Sequence, residues 1–298
     1  MKTDRTRVVL ALGALYLIWG STYLAIRIAL EGIPPLTIAG VRYVVAGAAL
    51  YLFARLRGSP NPTRAEWKSA LIVGTLLVVG NACVVVAEQW VSSGVAAVAL
   101  ASMAIWVALV AGLFGRWPTG SEWIGLAIGL AGVVVLQTAG DLRASPLGAL
   151  ALILSCATWA LGSVLGSRLA LPRGPMSSAA QMLLGGAVVL LGAVVRGERM
   201  ATTPSPQAVG ALAYLIVFGS IVAYTSYQFL LKTVRPSLAA SYSYVNPVVA
   251  LALGALVFGE PISPRAVWAL GLILGGVALL ALRSTIGARQ GVAGRSPG

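Results

Sequence analysis

Positions 8–26 of the chain have the sequence VVLALGALYLIWGSTYLAI, a run of 19 residues without a charge. A bilayer hydrocarbon core of about 30 Å requires about 20 apolar residues when a helix crosses it. Lys2, Arg5 and Arg7 precede the run, and no clear small-residue cleavage site follows it. The stretch therefore predicts a retained first transmembrane helix and not a removed signal peptide.

Similar apolar runs recur along the rest of the chain. Hydrophobic residues make up 58% of the 298 residues and charged residues only 10%, whereas soluble domains contain about 25% charged residues. The runs predict ten transmembrane helices, at or within residues 8–26, 36–54, 69–87, 89–115, 123–140, 144–167, 174–195, 200–231, 236–259 and 266–282. Residues 284–298 are polar and rich in glycine, and we expect them to be disordered.

The positive charge is spread between the apolar runs. The chain carries a net charge of +13, and its 21 Lys and Arg residues occur singly or in small groups. With a cytoplasmic N-terminus, 15 of them fall on the cytoplasmic side and 4 on the other, while Arg27 and Arg42 lie in or at the edge of helices. This bias predicts a multi-pass protein of the bacterial inner membrane with both termini in the cytoplasm. It does not predict a nucleic-acid partner.

The second half of the sequence repeats features of the first half in the same order. RIAL at 27–30 corresponds to RLAL at 168–171, and Pro34 corresponds to Pro175 at the same offset. Five helices per half is an odd number, so the second half must enter the membrane from the opposite side. The sequence therefore predicts two inverted five-helix repeats, residues 1–140 and 141–283, around a central cavity, followed by the tail 284–298. Inverted repeats of this kind are typical of transporters.

Four sequence features together resemble the EamA-type exporters of the drug/metabolite transporter superfamily. They are Trp19-Gly20-Ser21, Asn246-Pro247, Phe258-Gly259-Glu260 and the pair Gly271 and Gly275. The resemblance covers about residues 8–283, and the aromatic and neutral amino-acid exporters look most similar within the group. It implies ten helices arranged as a basket around a central cavity, and export of amino acids or related metabolites.

Polar and aromatic side chains inside the apolar runs are candidates for a substrate site. Because such groups are costly in lipid unless they face the bundle interior, we expect them to line one cavity. Aromatic walls suit a ligand with an apolar or aromatic body, although interhelical hydrogen bonds and interfacial positions are the alternatives. The candidate substrate-binding residues are Trp19, Ser21, Asn81, Trp106, Trp159, Ser163, Tyr224, Tyr227, Gln228, Tyr242, Tyr244 and Asn246.

Three further residues carry chemistry that is costly inside a membrane helix. Pro247 lies well inside the ninth predicted helix, where it predicts a kink beside the substrate path or a packing kink. Arg42 lies seven residues into the second predicted helix, where it either recognises a substrate carboxylate or extends to the membrane surface. Glu88 ends the third predicted helix and is the candidate for proton coupling, because the sequence contains no histidine.

The predicted function is transport by alternating access, with a small-molecule substrate and the lipid bilayer as partners. Cys83 and Cys156 lie inside apolar runs, and the sequence has neither metal-ligand spacing nor a nucleophile motif. We therefore expect no cofactor and no enzyme. The alternative is an obligate exchanger of phosphorylated or nucleotide-type metabolites, and a membrane-embedded enzyme is the least favoured class. We expect a monomer, because each repeat supplies the packing surface that the other requires.

Overall fold

The structure is a computed structural model that describes residues 5–91, 99–137, 145–200, 203–258 and 264–293. The regular elements of these segments are all helices, as predicted. They are α1 (Arg5–Leu30), α2 (Pro35–Leu56), α3 (Arg64–Ala87), α4 (Met103–Leu113), α5 (Gly120–Gln137), α6 (Pro146–Gly166), α7 (Pro175–Val195), α8 (Pro206–Thr233), α9 (Pro236–Ala239), α10 (Tyr242–Phe258) and α11 (Pro264–Ala293).

Six of these helices have the length and apolar composition needed to cross a membrane. They are α1, α2, α3, α6, α7 and α8. Shorter apolar helices cover residues 99–113, 120–136 and 267–281. The described segments therefore contain six clear spans, and the total of ten stays a prediction.

The local sequence sets where several helices begin. α2, α6, α7 and α8 each have proline at the first helical position, where the missing N–H is not needed and φ is already helical. The hydroxyls of Ser145 and Ser205 accept hydrogen bonds from the backbone N–H of Gly148 (3.0 Å) and Ala208 (3.1 Å). These caps satisfy donors that the helix itself leaves free, so the helices begin at the edges of the apolar runs.

The ninth predicted helix, residues 236–259, is interrupted after one turn, between α9 and α10. The backbone N–H of Ser241 donates only three residues back, to the carbonyl oxygen of Leu238 at 3.2 Å. The hydroxyls of Ser241 and Ser243 donate to the carbonyl oxygens of Leu238 (2.7 Å) and Ala240 (2.9 Å). These side chains compete for carbonyls that a continuous helix would use. The prediction of one continuous helix was therefore wrong at this turn.

The last helix is longer than the sequence predicted. α11 continues to Ala293, whereas the charge-free run ends at Leu282 and a disordered tail was expected from Ser284. Residues 284–293 contain alanine, arginine and glutamine, which favour helices, as well as two glycines. The expectation of disorder rested on the polar and glycine content and did not consider these helix-favouring residues. Residues 92–98, 138–144, 259–263 and 294–298 lie outside the described segments, and with them Gly259 and Glu260 of the family motif.

Helices from the two halves of the chain pack together in matched pairs. α3 packs on α6 as α8 packs on α1, and α4 packs on α6 as α10 packs on α1. Glycines allow the closest approaches, between α2 and α7 and between α5 and α11. A β-carbon on Gly47 would lie 2.6 Å from the backbone nitrogen of Leu183, and one on Gly276 would lie 2.7 Å from the carbonyl oxygen of Gly125. Backbone therefore touches backbone across both pairs.

Candidate functional site

A cavity of about 60 Å³ lies inside the bundle, between α1, α2, α3, α6 and the first turns of α4 and α10. Liquid water occupies about 30 Å³ per molecule, so the space in this conformation suits ordered water. The wall combines aromatic rings, one cation and several uncharged polar groups. Its residues are Trp19, Thr22, Tyr23, Ile26, Arg42, Gly80, Asn81, Val84, Leu100, Met103, Ser155, Trp159, Tyr242, Ser243 and Asn246.

Arg42 is a buried cation in this wall, with 1% of its surface exposed. Its Nε donates to the hydroxyl oxygen of Ser220 at 3.0 Å, and its guanidinium carbon lies 4.7 Å from the ring centre of Tyr43. Its Nη1 has no hydrogen-bond partner, and no carboxylate pairs with it within the described residues. The side chain thus stays inside the bundle and does not extend to the membrane surface. An uncompensated buried charge is costly, and an anionic group that reached the free Nη1 would lower this cost.

Three oxygen atoms around the same cavity are also left without partners. They are Oδ1 of Asn81, Oγ of Ser155 and Oδ1 of Asn246, each buried and without a hydrogen bond to any described residue. Buried polar atoms in native proteins nearly always have partners. The cavity therefore offers an unused cationic donor together with unused oxygens, which a ligand or water must satisfy.

Four aromatic rings pack against one another at one end of the cavity. We name Trp19, Trp159, Tyr227 and Tyr242 the aromatic floor. The ring centres of its contacting pairs lie 4.6–5.6 Å apart, and three pairs meet edge to face. The hydroxyl of Tyr227 bonds to the hydroxyl of Ser163 at 2.7 Å and accepts from the indole N–H of Trp159 at 3.2 Å. The floor closes the cavity on the side of the bundle where α1 begins and α6 ends.

The middle of α8, Leu215–Val222, is a π-helix that touches both the floor and the cation. The indole N–H of Trp19 donates to the carbonyl oxygen of Gly219 at 3.0 Å, and Ser220 accepts from Arg42. Short π-helical segments inside α-helices are rare and often occur at functional sites. The sequence LIVFGSIV carries no signal for this geometry beyond its Gly-Ser pair. The segment nevertheless holds the indole of Trp19 and the buried cation Arg42 in place.

The structure brings part of the predicted residue set to the cavity wall: Trp19, Asn81, Trp159, Tyr242 and Asn246, together with Arg42. Tyr227 lies in the floor behind them, with Ser163 bonded to it. Pro247 is buried inside α10, directly after Asn246. These residues come from helices of both halves of the chain.

Other predicted residues lie away from the wall: Ser21, Trp106, Tyr224, Gln228 and Tyr244. The hydroxyl of Ser21 bonds to the hydroxyl of Tyr214 at 2.6 Å, and the hydroxyl of Tyr244 donates to the carbonyl oxygen of Leu126 at 3.0 Å. Both residues therefore link neighbouring helices. In a helix that is apolar on every face, periodicity does not show which face is turned inward.

Tyr224 and Gln228 belong to a second buried polar cluster, between α7 and α8. The hydroxyl of Tyr224 donates to Oε1 of Gln181 at 3.0 Å, and Nε2 of Gln181 donates to the hydroxyl oxygen of Ser177 at 3.0 Å and to Oε1 of Gln228 at 3.5 Å. Such hydrogen bonds join helices within a membrane. The polarity of this part of α8 therefore has a packing explanation.

Glu88 follows directly after α3, one turn beyond the wall residue Val84. Its Oε1 is buried without a hydrogen bond to any described residue. Burial raises the pKa of its carboxyl to about 8, and the charge of Arg27 acts in the opposite direction. The carboxyl lies beside the end of the cavity that faces away from the floor, and it is not part of the cavity wall.

Comparison with known proteins gives related sequences over most of the chain. The model of the EamA-like transporter family matches residues 6–138 and again residues 146–282. The chain is 45% identical over 274 residues to the uncharacterized inner membrane transporter YedA of Escherichia coli K12, and the match covers 91% of this chain and 90% of that protein. It is 26% identical over 264 residues to the uncharacterized transporter YdfC of Bacillus subtilis, covering 87% and 86%.

One solved crystal structure has the same fold. Its TM-score is 0.79 at 22% sequence identity, over 95% of this chain and 99% of the other. The two successive family matches give the chain a two-repeat architecture, and six of its described helices are long and apolar enough to cross a membrane. The expected superfamily resemblance is confirmed, and the chain belongs to the EamA-like transporter family.

Proposed function

We propose that this protein exports amino acids, or closely related zwitterionic metabolites, across the bacterial inner membrane by alternating access. The unpartnered Nη1 of the buried Arg42 is the observation that carries the proposal. A guanidinium binds a carboxylate through paired, charge-assisted hydrogen bonds. The free oxygens of Asn81, Ser155 and Asn246 can accept hydrogen bonds from an ammonium group. The surrounding rings suit an apolar or aromatic side chain.

The small size of the cavity supports a cycle with closed and open states. Ligand pockets usually measure about 300–1,000 Å³, whereas this cavity measures about 60 Å³. A substrate-loaded state must therefore have a wider cavity. The four rings of the aromatic floor must separate when the cavity opens on the side of the membrane that the floor now closes. A permanently open channel would not need the floor.

We further propose ten spans in two inverted halves, residues 1–140 and 141–283, with both termini cytoplasmic. The matched packing of α3 on α6 and of α8 on α1 supports this, because a two-fold axis in the membrane plane exchanges these pairs. The bias of 15 to 4 in the loop cations supports the orientation. The aromatic floor then closes the cytoplasmic side. The cycle that we propose uses a monomer, no cofactor and no chemical step.

Exchange of phosphorylated metabolites is less well supported. Phosphate groups in proteins are usually bound by several cationic or N–H donors. Among the described residues of the cavity wall, Arg42 is the only cation. A single carboxylate matches this charge better than a phosphate does.

Counterflow into proteoliposomes tests the proposed substrate class. Vesicles containing purified protein and an excess of an unlabelled amino acid are expected to accumulate the same labelled amino acid. The decarboxylated amine of each substrate is expected not to compete, because it cannot bind Arg42, and the deaminated acid is expected to compete weakly. Absence of counterflow for every amino acid, or equal competition by the decarboxylated amines, would contradict the proposal.

Uptake is expected to be insensitive to an imposed pH gradient. The sequence has no histidine, and Glu122, the other acid buried within the described bundle, is paired with Arg235 at 2.6 Å. Among the described residues this leaves Glu88 as the one acid that could carry a proton, and Glu88 does not line the cavity wall. Measuring uptake with and without a pH gradient, in wild type and Glu88→Gln, checks this. Stimulation that disappears in Glu88→Gln would assign coupling to Glu88, and stimulation that persists would place it on another group.

A further inference from the structure

An apolar groove of about 480 Å³ opens on the outside of the bundle, between α3, α6 and α7. It lies behind the α3–α6 wall of the central cavity and shares no lining residue with it. Its volume falls within the range of about 300–1,000 Å³ that is usual for ligand pockets. Leu147, Leu150 and Leu154 of α6 line it and are 60%, 51% and 47% exposed. Because these helices span the membrane, the groove faces lipid.

One end of the groove carries a positive charge. Arg196 follows directly after α7, is exposed, and is the only charged residue among the described residues that line the groove. The nearby carboxylate of Glu198 is already engaged by the backbone N–H groups of Leu36 (3.1 Å) and Thr37 (2.9 Å). Arg196 has no ion pair within the described part of the chain. An exposed cation without an ion pair therefore lies at the end of the apolar groove, next to the last residue of α7.

Trp90 places this end of the groove at the edge of the bilayer. It lines the groove, is 40% exposed, and follows the end of α3 as Arg196 follows the end of α7. Tryptophan is enriched at the level of the lipid headgroups. The groove therefore runs from the headgroup level into the hydrocarbon region.

We propose that the groove binds one anionic phospholipid, with an acyl chain along the apolar wall and the phosphodiester against Arg196. The apolar lining matches the chain, and basic residues at a membrane surface attract anionic headgroups. The phosphate accepts hydrogen bonds from the guanidinium that the protein leaves unpaired. The proposal does not depend on the identity of the transported substrate.

Two substitutions test separately the part of the groove that would hold the acyl chain and the part that would bind the headgroup. A β-carbon on Gly192, which lines the groove, would meet no atom within 4 Å. Gly192→Phe therefore fills the groove without a backbone clash, and Arg196→Gln removes the cation. The matched control for the first variant is Gly210→Phe, at an exposed glycine where an added β-carbon would also meet no atom within 4 Å. The matched control for the second is Arg199→Gln, at an exposed arginine that does not line the groove.

Native mass spectrometry of the purified full-length protein, titrated with phosphatidylglycerol or phosphatidylcholine, tests the proposal. Wild type and both controls are expected to retain one phosphatidylglycerol more tightly than phosphatidylcholine. Arg196→Gln is expected to weaken phosphatidylglycerol binding about fivefold, and Gly192→Phe to abolish it. Equal retention by wild type and Gly192→Phe, or equal effects of Arg196→Gln and Arg199→Gln, would overturn the proposal. A change of oligomeric state in Gly192→Phe would also overturn it, in favour of a protein contact.

Cys83 supplies a second measurement. It lies in the groove wall and is half-buried, whereas Cys156, the other cysteine of the sequence, is buried in the bundle. Phosphatidylglycerol is expected to slow alkylation of Cys83 in wild type and in Gly210→Phe. Alkylation at the same rate with and without the lipid in wild type would contradict occupancy of the groove.

Discussion

Arg42→Gln is expected to lower substrate affinity at least about 30-fold while leaving the empty protein as stable as wild type, or more stable. Truncating one partner of a buried charge pair costs about 2–5 kcal/mol of binding, and about 1.4 kcal/mol corresponds to tenfold. In the empty protein the same guanidinium is a buried cation with an unpartnered Nη1, so its removal relieves a desolvation cost. Equilibrium binding of the labelled amino acid and thermal unfolding of the empty protein measure the two effects.

Two companion variants separate binding from general disruption. Arg42→Lys keeps the charge but loses the paired donors, so we expect an affinity between wild type and Arg42→Gln. Arg57→Gln removes an exposed arginine at the end of the same helix and is expected to change neither quantity. If Arg42→Gln destabilised the empty protein and left substrate affinity unchanged, Arg42 would be a structural residue and the proposed substrate class would lose its main support.

Trp19→Ala is expected to destabilise the protein by about 3 kcal/mol and to reduce counterflow to near background. Trp19 contacts the three other rings of the aromatic floor, and each such contact contributes about 0.5–1.5 kcal/mol. Its indole also satisfies the carbonyl of Gly219, and leaving a buried group unpaired costs about 1–3 kcal/mol. Chemical or thermal unfolding in detergent, together with the counterflow assay, measures both losses.

The series at Trp19 has an internal control and an external one. Trp19→Phe keeps an aromatic ring but removes the N–H donor. We expect this variant to be destabilised by about 1–3 kcal/mol, because the buried carbonyl of Gly219 then has no donor from residue 19. Trp268→Ala removes an indole that is 78% exposed on α11 and is expected to be close to wild type. Equal stability of Trp19→Ala and Trp268→Ala would show that the floor contributes nothing to the closed conformation.

Several helix positions followed from the sequence because lipid restricts what a spanning helix can contain. The charge-free runs 8–26 and 174–195 lie within a few residues of α1 and α7, since charges gather where a helix leaves the membrane. The break after Ala239 and the π-helix in α8 had no such signal. The break depends on two serine hydroxyls, and the π-helix is bonded to Trp19 and Arg42, which are distant in sequence.

The sequence predicted which residue types form the candidate site, but it did not predict which of these side chains face the cavity. Asn81 and Tyr224 are both polar groups in apolar helices, yet Asn81 lines the cavity and Tyr224 bonds to Gln181. In a membrane bundle the lipid-facing side and the packed side are both apolar, so hydrophobic periodicity does not separate them. Apolar wall residues such as Ile26 and Val84 had no distinguishing feature in the sequence at all.

The close glycine contacts between α2 and α7 and between α5 and α11 determine which parts of the protein can move as units. Each pair joins one helix from each repeat, and Glu198 also fixes the start of α2 through two backbone N–H groups. Backbones packed this tightly leave no room for sliding. In the proposed transport cycle we therefore expect the moving bodies to be assemblies that mix helices of the two repeats. A cross-link from α2 to α7 would join parts that already travel together.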